Sequence, residues 1–82
     1  MAALSDMTRH ELECELLRAE HDARRAHNNS HAFSLRSELA RTQDAKADAE
    51  GCLRYWKQQA EFADLRVTDI EREISTRQAL TL

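Results

Sequence analysis

Cys52 to Ile74 reads CLRYWKQQAEFADLRVTDIEREI. This stretch carries the only Trp, the only Tyr, one of the two Phe and every Val and Ile of the 82-residue chain. Leu53, Trp56, Ala60, Ala63, Val67, Ile70 and Ile74 recur at alternating steps of three and four. That spacing places them on one side of an α-helix, as the seam against which other helices pack. Strict alternation, the mark of a strand, is absent from the stretch.

The composition outside it agrees. Proline is missing and Gly51 is the single glycine, so the residues that terminate helices and shape tight turns are nearly absent. The chain is therefore expected to be all-α. Gly51 costs about 1 kcal/mol inside a helix. Ala45–Glu50 before it and Cys52–Trp56 after it contain no loop-forming residues, which favours an uninterrupted helix across it.

Towards the N-terminus, Thr8-Arg9-His10-Glu11 fits a capping box, and Met7 and Leu12 stand where a hydrophobic staple would pair them. A helix is predicted from that point, preceded by a flexible lead over 1–7. Leu12, Leu16, Ala19, Ala23 and Ala26 then form a stripe that narrows to alanine. Beyond it, Leu35 and Leu39 share a register with Leu53 and Trp56 that lies out of step with the first stripe. His27-Asn28-Asn29-Ser30-His31 sits at the mismatch, and Asn and Ser side chains compete for backbone hydrogen bonds. The reading is a single helical domain over 8–82: helix 8–27, a break at 28–30, and a long second helix over 31–79.

Such a helix-turn-helix hairpin leaves the most apolar half of its second helix beyond the reach of the first. An uncovered face with Trp, Val and two Ile calls for another chain. The expected architecture is a coiled-coil or helical-bundle homodimer, with the seam Leu53, Trp56, Ala60, Ala63, Val67, Ile70 and Ile74 as the contact between chains. Tyr55 and Phe62 lie off that seam and are candidate partner-binding residues, since aromatic side chains dominate binding hot spots. Arg24, Arg25 and Arg36 are further candidates, in the most cationic part of the chain.

Little else carries chemistry. The net charge is −3 with signs interspersed, unlike the one-sided basic footprint of a nucleic-acid binder. His10 and Cys14, and His27 and His31, stand four apart, but each pair offers only two metal ligands. His10-Glu11-Leu12-Glu13-Cys14 lacks the second His of a zinc-protease helix. No cofactor, metal, small-molecule substrate or catalytic residue is expected, and no run has the length of a membrane span. Cys14 and Cys52 read as reduced thiols in a cytoplasmic protein.

The expected function is that of a small helical interaction protein: an adaptor, regulator or inhibitor that binds itself and another protein. In general type it resembles the short helical proteins of phages and prophages. The alternatives are a scaffolding coiled coil acting by oligomerisation, and a nucleic-acid-binding regulator using the arginines of residues 18–41.

Overall fold

The computed structural model describes residues 3–80. It is a helical hairpin of two helices, α1 (Arg9–Leu39) and α2 (Gln43–Leu80), preceded by one 3₁₀ turn, Leu4–Asp6. No strand occurs among the described residues. The hairpin is a rod of 59 × 22 × 15 Å.

The start of α1 follows the capping chemistry. Glu11 N–H donates to Thr8 Oγ1 at 3.1 Å, and Thr8 N–H donates to Glu11 Oε1 at 3.3 Å. Two backbone donors that the helix leaves orphaned are thereby satisfied. Met7 packs on the cluster that contains Leu12. Of the lead expected to be flexible over 1–7, residues 1 and 2 lie outside the described residues, and Leu4–Asp6 forms the 3₁₀ turn. Leu4 also packs on the core, and the Arg77 guanidinium at the far end of α2 donates to the carbonyls of Leu4 and Ser5 at 3.1 and 3.2 Å.

The expected break at 28–30 does not occur: α1 runs straight through Asn28-Asn29-Ser30 and turns only after Leu39. Two Asn and a Ser cost a helix about 2 kcal/mol in all at most, too little to stop one that is held by packing. The register is the deeper reason. Continued from Ala26 in steps of four and three, the first stripe meets Ser30, Phe33, Ser37 and Ala40, all of them half-buried. Leu35 and Leu39, which suggested a shifted register, point outward and are 45% and 77% exposed. The seam never changes phase; its second half is built from small polar residues and one aromatic.

The turn is Ala40-Arg41-Thr42. Ala40 takes an extended backbone conformation (φ −64°, ψ 132°). Thr42 caps α2: Ala45 N–H donates to its Oγ1 at 3.1 Å, and Lys46 N–H donates to its carbonyl at 3.0 Å. Asp44 in the first turn of α2 and Arg36 in the last turn of α1 complement the helix dipoles. No described residue has positive φ, so the turn needs no glycine. Gly51 lies inside α2, as the flanking sequence implies.

Moving the turn from 28–30 to 40–42 removes the overhang. The 31 residues of α1 span about 46 Å, which covers most of α2. Leu12, Ala19 and Ile70 form the core, with Leu16, Val67 and Ile74 packed around it. Of the α2 seam, Ala60 and Ile70 are buried and Leu53, Trp56, Ala63, Val67 and Ile74 are half-buried. With the hairpin closed, Val67, Ile70 and Ile74 pack within the chain.

Three stability changes follow. Gly51→Ala is expected to raise unfolding stability in urea by about 1 kcal/mol, because a Cβ there would meet only the end of the Arg54 side chain at 4.0 Å; a loss would mean that the chain bends at this position. Thr42→Ala should cost about 1 kcal/mol as a lost cap. Leu12→Ala, at a fully buried position, should cost roughly 2–5 kcal/mol.

Candidate interaction groove

The seam between the helices is lined mostly by small side chains. Among the described residues seven apolar ones are buried; five are alanines, and the other two, Leu12 and Ile70, are large. A methyl group fills little space, and two of the three aromatic residues of α2, Tyr55 and Phe62, sit beside the seam. Tyr55 and Phe62 are 53% and 55% exposed. Their ring faces border a groove of about 410 Å³ that runs along one side of the hairpin.

Glu15, Asp22 and Arg25 of α1 form the other wall, with Trp56, Gln59 and Arg66 contributing from α2. The Arg25 guanidinium lies 5.7 Å from the centre of the Trp56 ring, a cation–π contact. Tyr55 meets the same ring edge-on, with centroids 5.1 Å apart and planes at 80°. Arg66 faces Glu15 across the groove at 3.9 Å. Towards the turn a second hollow is lined by Phe33, Arg36, Asp48 and Cys52, with the Arg36 guanidinium 4.8 Å from the Phe33 ring centre.

The candidate residues thus separate. Tyr55, Phe62 and Arg25 share one groove, and Arg36 lines the hollow beyond it. Arg24 is exposed and lines neither. Phe33 and Asp48 belong to the site but were not singled out from the sequence. Phe33 is the signal that extending the first stripe past Ala26 would have found.

The histidines do other work. His27 Nε2 lies 3.0 and 3.2 Å from the two oxygens of Asp64, linking α1 to α2 and not to His31. His10 Nε2 lies 3.6 Å from Cys14 Sγ. Among the described residues no group of three or more His, Cys, Asp or Glu converges as a metal site, and no helix is long and apolar enough to cross a membrane. Compared with protein-family models, curated proteins and solved structures, the chain matches none of them.

The Arg25–Trp56 contact is open to a direct check. Arg25→Ala should shift Trp56 fluorescence and cost about 0.5–1 kcal/mol, whereas Arg24→Ala should leave both unchanged. Equal effects from the two variants would show that the contact contributes nothing particular.

Proposed function

We propose that this chain is a non-catalytic helical interaction protein, a cytoplasmic adaptor, regulator or inhibitor that packs its open groove side against helices supplied from outside the chain. The observation that carries the reading is the pair of half-exposed rings, Tyr55 and Phe62, beside a seam too thin to cover them. Two helices bury one narrow stripe each; apolar side chains on the flank of that stripe belong to contacts with further neighbours. An inhibitor of this shape acts by occlusion, laying a 59 Å rod over a functional surface of its target.

The arginines favour protein over nucleic acid as the partner. Arg25 and Arg36 each lie over an aromatic ring of their own chain, and Arg66 faces Glu15, so they do not line up as a free basic stripe along a phosphate backbone. Scaffolding by self-association is the second reading, favoured by the same exposed rings.

Affinity capture with the wild-type chain and with the Tyr55→Ala/Phe62→Ala variant tests the proposal. Polypeptides retained by the wild type should be lost from the variant. An identical set retained by both would remove the groove as the binding surface.

A further inference from the structure

We infer that the groove receives a second copy of this chain, related to the first by a two-fold axis running along the length of the hairpin, so that four helices close around the aromatic row. The inference rests on the reading of the groove as a protein-docking face and names its occupant.

The surface area asks for a neighbour of about this size. The chain exposes 6327 Å², whereas a compact monomer of 9.5 kDa would expose about 5,000 Å². The surplus, about 1,300 Å², exceeds the roughly 800 Å² per partner that a standard stable interface buries. The radius of gyration gives the same picture: 17.3 Å against about 12 Å for a compact domain of this length. A second rod laid along the groove removes surplus surface without lengthening the assembly.

The charges fit self-pairing with the levels matched. Along the groove, Glu15 stands level with Arg66, Arg25 with Tyr55 and Trp56, and Arg36 with Asp48. Each level thus sets an Arg on one helix against a carboxylate or an aromatic ring on the other. A two-fold axis along the hairpin keeps levels matched and brings α1 of one copy opposite α2 of the next. Glu15 then meets Arg66 of the second copy, Arg36 meets Asp48 and Arg25 meets Tyr55. A two-fold axis across the rod, at the Arg25 level, instead sets Arg25 beside its own counterpart and Arg66 opposite Ala45. Arg25 faces a like charge in that arrangement and Arg66 has no carboxylate opposite it, at a cost in specificity and affinity.

Sedimentation equilibrium across a wide concentration range, with helicity followed by circular dichroism, reads the outcome. The wild type should sediment at twice 9.5 kDa. Tyr55→Ala/Phe62→Ala should keep its helicity, because both rings are half-exposed, and should dimerise roughly a hundredfold more weakly. Orientation is read by mixing two chains that both carry Cys14→Ser and Cys52→Ser, one with Glu15→Cys and the other with Arg66→Cys; a disulfide-linked heterodimer should form on oxidation. A monomeric wild type overturns the inference, as does a variant that dimerises as well as the wild type. A groove-dependent dimer without the mixed disulfide overturns the two-fold axis along the rod. A monomer that still captures a different polypeptide through Tyr55 and Phe62 overturns the second copy as occupant and leaves the interaction reading standing.

Discussion

The hairpin depends on a seam whose buried residues are mostly alanines. Ala19, Ala23 and Ala26 on α1 and Ala49 and Ala60 on α2 are the buried residues of the seam's middle, and side chains that short let two helix backbones approach closely. The contact is economical in volume but weak in yield. Burying a methyl group contributes about 0.8 kcal/mol, against roughly 1.5–3 kcal/mol for a Leu or Ile side chain. The two large buried residues, Leu12 and Ile70, both lie at the open end, so the core is concentrated where the chain termini are. That distribution explains why the N-terminal segment is drawn in: Leu4 and Met7 enlarge the one cluster of real size, and Arg77 fastens the 3₁₀ turn from across the hairpin.

The same close seam makes the two sides of the hairpin unlike. The seam takes in Trp56 and Phe33 as half-buried rings, whereas Tyr55 and Phe62 stand at the rim of a groove. On the other side the helices are linked by a polar contact, His27 to Asp64, which is exposed and contributes little by itself. One side is thus bridged by a polar contact, and the other carries the half-exposed rings of Tyr55 and Phe62. The functional reading follows from this difference more than from any single residue.

Large apolar side chains made parts of this fold legible in the sequence and concealed others. The capping box at Thr8, the seam of α2 and the continuity through Gly51 were all readable, because each has a local chemical signature. The second half of α1 was not. Its true seam is Ser30, Phe33, Ser37 and Ala40, in which one residue of four is strongly apolar, while the eye is drawn to Leu35 and Leu39 on the outer surface. A break read at 28–30 therefore falls on a pair of asparagines that the helix tolerates, and the real turn, Ala40-Arg41-Thr42, has no Gly, Pro or Asn to announce it. Thr42 followed by Asp44 was the available signal, an N-cap with an acidic first turn. The groove was half legible: Tyr55 and Phe62 were visible as off-seam aromatics, but their α1 wall depends on a register that only the unbroken helix provides.

The preference for arginine takes on a physical meaning in this setting. The chain has ten Arg and two Lys, and three of the arginines make contacts that suit a planar guanidinium better than an ammonium. Arg25 and Arg36 lie over aromatic rings, where the flat cation stacks as well as attracts. Arg77 spreads its donors over Glu73 and two backbone carbonyls at once, a fork that a lysine cannot reproduce. In a rod with so few large buried side chains, such contacts replace part of the apolar packing that alanine omits. They stiffen the open end and the groove wall while leaving the groove floor, Trp56 and its neighbours, accessible from outside. A surface whose charged side chains are already held in place would lose less conformational entropy if another helix docked on it, which is how these arginines bear on the proposed interaction.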